Sequence, residues 1–164
     1  MGSSRRINQT VLAYIAGFLD GDGCIKARID KQLNNKFGWR TRIAVTFTQH
    51  TKNQRVLDWI QKQLQVGTIA DYSSKHMSEY AITDSKFIER LLLNLKPYVV
   101  NKTKQLDLAL QLLALKDRFK NETSFKKAWE LAMEIRSLNN YPKKISLSNP
   151  VTTFSRRNVG TNGQ

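Results

Sequence analysis

Two carboxylates, Asp20 and Asp22, stand among glycines in the run Ile15-Ala16-Gly17-Phe18-Leu19-Asp20-Gly21-Asp22-Gly23. Ala13, just before it, Gly17 and Gly21 recur every fourth residue. On a helix that spacing leaves one face nearly bare backbone, and small residues in such a row let a second helix approach closely. Two copies packed on this face would set carboxylates side by side, which requires a cation between them or a retained proton. Carboxylate oxygens with phosphates nearby suit Mg²⁺, and phosphodiester cleavage commonly uses paired metals. The same residues also fit a plain core helix closed by a glycine cap and an Asp-Gly turn. The run alone leaves both readings open.

Other chemistries find no support. A dinucleotide fingerprint would need a third glycine at Lys26 and a strand before the run, and no Gly-Lys-Ser/Thr phosphate loop is present. One cysteine, Cys24, and two distant histidines, His50 and His76, make no zinc pattern. Cys24 has no thiol-activating neighbour in the pattern and reads as a small, half-buried side chain; a single cysteine also excludes an intrachain disulfide.

The elements that must position this run follow from periodicity. A helix is expected over residues 8–19, capped by Asn8 or Thr10 and ended by Gly21 and Gly23. Residues 24–30 and 40–48 alternate as strands, with Ile25, Ala27, Ile29, Ile43, Val45 and Phe47 on one face and polar or basic residues on the other. Thr51 should cap a helix to about Leu64. Residues 68–72 and 79–83 read as a second hairpin, with Tyr80 on its apolar parity. Asp84 should cap a helix stopped by Pro97, Asn101 a helix to Phe119, and Ser124 should open a last helix ending near Asn139. Trp59, Phe87, Phe119, Phe125 and Trp129 fall at helical spacing and read as core. The order implies an α+β fold: an αββαββα core, an antiparallel sheet with helices on one face, and extra C-terminal helices. Residues 1–7 are expected to be a flexible start, 8–140 a single domain, and 141–164 a basic tail.

The 164 residues carry 27 Lys+Arg against 13 Asp+Glu, a net charge of +14. That excess favours a polyanionic partner, most often nucleic acid. The positive residues concentrate on the two strands after the motif and on the tail. No apolar run reaches the roughly 18 residues of a membrane span. Strand parity assigns Lys26, Arg28, Asp30, Gln32, Asn34, Arg40, Arg42, Thr46 and Thr48 to the polar face, joined by Ala70, Tyr72, Glu79 and Ala81 from the second hairpin. Arg28, Arg40 and Arg42 suit guanine edges, whereas Lys143 and Lys144 suit phosphates.

The nine-residue run resembles the signature of the LAGLIDADG homing endonucleases. Gln49 at the end of the second strand and Lys102 in Pro97-Tyr98-Val99-Val100-Asn101-Lys102-Thr103 also fall where that family's single-motif members have them. The resemblance implies a sheet saddle on double-stranded DNA and a homodimer joined through Ala13, Ala16 and Gly17. It implies Asp22 as metal ligand with the Gly21 carbonyl, and a more structural role for Asp20. Gln49 would position water and Lys102 would lie near the scissile phosphate. The implied activity is Mg²⁺-dependent cleavage of both strands of a long pseudo-palindromic site, leaving 3′ overhangs, with Mn²⁺ or Ca²⁺ as alternative occupants and no small-molecule substrate. An intracellular site, in a chloroplast or mitochondrion, goes with it. An RNA-splicing maturase or a cleavage-inactive DNA-binding regulator on the same scaffold is the alternative. One position departs from the family: a base often stands four residues after the glutamine, and here that residue is Asn53, leaving Lys52 or Arg55, with His50 adjacent, to fill the role.

Overall fold

The computed structural model describes residues 7–34, 38–115 and 121–139. The first helix, α1, spans Gln9–Asp22, and the Asn8 side chain accepts from Thr10 N–H as its N-cap. It leads directly into β1, Gly23–Lys31, which pairs with β2, Trp39–His50. A single 3-10 turn and α2, Arg55–Leu64, separate this hairpin from β3, Thr68–Tyr72, and β4, Met77–Ile82. Three helices follow: α3, Ser85–Leu95; α4, Thr103–Leu115; and α5, Glu122–Leu138.

The four strands form one antiparallel sheet in the order β1-β2-β4-β3. The strand alternation decides its two faces. Ile25, Ala27, Ile43, Val45, Phe47, Tyr80 and Ile82 lie buried against Ile15, Ala16 and Leu19 of α1 and the apolar stripes of the later helices. The helices therefore cover one face, as expected for α+β. A line of rings runs through this layer: Phe18 stacks on Phe47, and Phe47 on Tyr80. The Tyr80 hydroxyl donates to the Val66 carbonyl, and burial pushes its phenol well above the ordinary range.

Two glycines are required by the fold itself. Gly67 has φ +81°, and an added Cβ would lie 2.5 Å from the Ala81 carbonyl oxygen. A Cβ on Gly23 would lie 2.6 Å from the Leu19 Cα, so the chain can turn from α1 into β1 here only without a side chain.

Several local expectations shift. Gly21 does not end α1; the helix continues to Asp22 and Gly23 is the C-cap. Thr51 opens the 3-10 turn, and α2 starts after Gln54. Asn121, not Ser124, is the N-cap of α5; Ser124 lies three residues in and closes a reciprocal capping box. The Asn101 N–H is committed elsewhere, and the Lys102 carbonyl accepts the first bond of α4, from Leu106 N–H. Trp59 is not fully core: it is 37% exposed, edge-on to the more open Tyr14. Lys143, Lys144, Phe119 and the tail lie outside the described residues.

Candidate active site and nucleic-acid interface

Three segments remote in sequence converge where α1 ends. Asp22, the last helical residue, points its carboxylate outward and accepts a hydrogen bond from Gln49 Nε2 at 2.6 Å. Gln49 reaches it because parity places residue 49 on the helix-covered face of β2, beyond Phe47 and one strand from the start of β1. The bond fixes the carboxylate's rotamer and leaves Oδ1 without a protein partner among the described residues.

Asp20 faces the other way. Its carboxylate accepts the backbone N–H groups of Val100, Asn101 and Lys102 at 2.7, 3.1 and 3.0 Å. Lys102 returns the contact: its Nζ donates to the Asp20 carbonyl at 2.6 Å. Partial burial pushes the Asp20 carboxyl up, but the three backbone donors and the Lys102 charge outweigh it and hold it below its ordinary value. Asp20 thus caps the entrance to α4 from a distance and delivers Lys102 to the motif helix. The two motif acids divide the work: one ties the chain together, the other stays open.

The bare helix face is present. Ala13, Gly17 and Gly21 are exposed, and a Cβ added to Gly17 or Gly21 meets nothing within 4 Å. A mid-helix glycine costs about 0.5–1 kcal/mol relative to alanine, and no contact among the described residues requires a glycine at either position. Ala16 corrects one expectation: it is fully buried in the chain's own core and lies off the exposed face. Beside this face Tyr14, Phe18, Val56 and Trp59 line an open hollow whose rim includes Gln49, Lys52, Asn53 and Arg55. Lys52 and Arg55, the two candidates for the second basic position, therefore sit with Asn53 and Gln49 around one depression.

The uncovered face of the sheet carries the set expected by parity. The register aligns Lys26 with Ala44, Arg28 with Arg42, Asp30 with Arg40, Thr46 with Ala81 and Thr48 with Glu79, and Ala70 with Glu79 on the far side. Tyr72 is half exposed at the end of β3; Gln32 and Asn34 are exposed beyond β1. The charges are not equivalent. Lys26 Nζ and Glu79 Oε2 form an ion pair at 2.6 Å, and Arg42 Nε donates to Asp30 Oδ2 at 2.7 Å. Arg28 and Arg40 pair with no acid among the described residues. Thr46 is a second correction: it has the expected parity but is only 3% exposed, and its Oγ1 has no hydrogen-bond partner. Sequence spacing could not have found these pairings, since each joins residues on different strands.

Among the described residues no three His, Cys, Asp or Glu side chains cluster as a metal site. One chain offers one outward carboxylate, Asp22, and one carbonyl, Gly21, at the edge of a face shaped for a second helix. An all-oxygen set of this kind fits a hard divalent cation once a second copy doubles it.

The model of the LAGLIDADG endonuclease family matches residues 15–113. The chain is 32% identical over 108 residues to DNA endonuclease I-CreI of Chlamydomonas reinhardtii, a match covering 66% of this chain and 65% of that protein, just under two thirds of its length. It is 30% identical over 144 residues to DNA endonuclease I-CvuI of Chlorella vulgaris, covering 88% of this chain and 89% of that one. The crystal structure of homing endonuclease I-CvuI in complex with its target, in the presence of calcium, matches with a TM-score of 0.81 at 29% identity, over 91% of this chain and 94% of that one.

Proposed function

The chain belongs to the LAGLIDADG endonuclease family, and from that premise we propose that it is a homing endonuclease. As a homodimer it binds double-stranded DNA with its uncovered sheet face and hydrolyses one phosphodiester in each strand, leaving 3′ overhangs. The observation that carries this reading is the convergence at the end of α1: an open carboxylate on Asp22 held by Gln49, and Lys102 brought to the same helix end by Asp20.

In this reading Asp22 and the Gly21 carbonyl of each copy hold magnesium, with manganese or calcium as substitutes. The bound cation supplies charge stabilisation at the phosphate and a more acidic water. Gln49 orients the Asp22 carboxylate and, with its amide oxygen, accepts a hydrogen bond from water at the site. Lys102 sets a positive charge beside the phosphate, where negative charge builds during displacement. Tyr14 and Trp59 exclude water from the flank of the helix contact. The two arginines without an acidic partner, Arg28 and Arg40, together with the tail residues Lys143 and Lys144, add the cationic field that holds the phosphate backbone and base edges. In this reading the working compartment is an organelle.

A cleavage assay on a library of DNA sites tests this, run with magnesium, with calcium and with chelator. Wild-type protein should cut a defined site with magnesium and bind it without cutting under chelation or calcium. Binding without cleavage in every divalent metal would make the chain a binding module and overturn the enzymatic reading.

A further inference from the structure

The Lys26–Glu79 pair lies on the sheet face that presents Arg28, Arg40 and Arg42, yet it is built differently from a surface salt bridge. Each side chain is only 18% exposed, and the contact is 2.6 Å. The two residues are not strand neighbours: Lys26 stands on β1 in the row of Ala44, and Glu79 on β4 in the row of Thr48. Thr46 occupies the row between, so the pair bridges diagonally over β2 at that point. The bridge lies over Thr46, which is only 3% exposed and whose Oγ1 has no hydrogen-bond partner. Two small residues, Ala44 and Ala81, flank the bridge. The sheet therefore carries a donor and an acceptor held together as one rigid unit at its middle.

We propose that Lys26 and Glu79 act as a single reader of one G·C base pair in each half-site. The proposal rests on the DNA-binding reading above and assigns it a base. An ammonium has three donors, and one is spent on Glu79; two remain. Guanine offers two adjacent acceptors, O6 and N7, on its major-groove edge, and cytosine adds a donor, the N4 amino group, beside them. Lys26 takes the guanine acceptors and the unused Glu79 Oε1 accepts from cytosine N4. In the register that serves G·C, an A·T pair sets its N6 donor against the second Lys26 donor and the thymine O4 acceptor against Glu79 Oε1, so two of the three contacts become repulsive. The ion pair has two effects. It stops Lys26 from swinging to the nearest phosphate, and its carboxylate repels DNA that lacks the cytosine donor. Glu79 is thus a specificity-determining residue, and the Lys26–Glu79 bond is what gives the pair a direction along the groove.

The test is competition binding in calcium, with every base pair of the cognate half-site varied in turn, for wild type, Lys26→Met, Glu79→Gln and the double variant. Wild type should prefer G·C at one position by roughly tenfold or more. Each single variant should lose that preference at the same position, and the double should lose no more than either single, because the two act as one unit. Glu79→Gln should also bind scrambled DNA more tightly than wild type, since Lys26 is released to phosphates. Losses at two different positions, or uniform losses on cognate and scrambled DNA, would overturn the proposal while leaving DNA binding intact. Failure of the wild-type protein to bind any double-stranded DNA would overturn both this assignment and the reading beneath it.

Discussion

Gln49 Nε2 donates to Asp22 Oδ2 at 2.6 Å across 27 residues of sequence. The bond joins the last residue of the motif helix to the penultimate residue of β2 and leaves one carboxylate oxygen open.

Asp22→Asn keeps the shape of the side chain and removes the charge that would hold a cation. Cleavage should fall to background while DNA affinity measured in calcium stays within a few fold. Gln49→Ala should lose less, because Asp22 keeps its charge and loses only its orientation. Plasmid cleavage at saturating enzyme reads both; wild-type cutting by the Asn variant would remove Asp22 from the site.

Lys102→Met should slow the single-turnover rate by about 10²–10³-fold, the usual cost of removing one preorganised charge from a site where negative charge develops. Equilibrium binding should change little. An unchanged single-turnover rate would show that the ammonium serves only its bond to the Asp20 carbonyl.

Asp20→Ala removes the acceptor of three backbone N–H groups at the start of α4. Hydrogen bonds to a charged acceptor are worth about 1.5–3 kcal/mol each in favourable settings, and partial exposure here places the expected loss at the lower end of that range for the whole set. Urea unfolding should show it, and cleavage should drop along with it even under conditions where the variant remains folded, since the Lys102 backbone loses its bond to the Asp20 carboxylate and only the Nζ contact to the carbonyl is left to place it.

Gly17 and Gly23 should behave oppositely. Gly17→Leu adds a side chain whose Cβ meets nothing within 4 Å among the described residues, so circular dichroism should show a folded protein and sedimentation a monomer. Gly23→Ala forces a Cβ against the Leu19 backbone and should lower stability by about 1–3 kcal/mol through overpacking. A dimeric Gly17→Leu protein would place the subunit contact elsewhere.

Arg40→Ala should cost about 1–3 kcal/mol on cognate DNA and relax preference at one base pair per half-site. Lys143→Ala should weaken binding to all sequences alike and flatten the salt dependence by about one unit for each phosphate no longer neutralised. Affinity against salt on cognate and scrambled DNA separates the two; identical losses on both would erase the distinction.

The sequence determined by itself whatever depends on neighbours along the chain. The alternation after Gly23 set which strand residues face the helices, and the caps at Asn8 and Asp84 were readable because a short polar side chain satisfies N–H groups only two or three residues away. The glycine-spaced run named the helix face, and the family resemblance supplied candidates at Asp22, Gln49 and Lys102. Tertiary structure decided the rest, because it depends on where distant elements come to lie. Ala13 and Ala16 are the same residue type one turn apart, and only packing sends Ala16 into the core and leaves Ala13 open. Asp20 and Asp22 are equivalent in the motif, yet one turns toward backbone donors 80 residues away and the other toward Gln49. Lys26 reads as an ordinary groove-facing charge until the sheet order β1-β2-β4 brings Glu79 across to it. Strand parity fixes the face on which a side chain emerges; the partner it meets there is set by the pairing of strands that the local pattern does not encode.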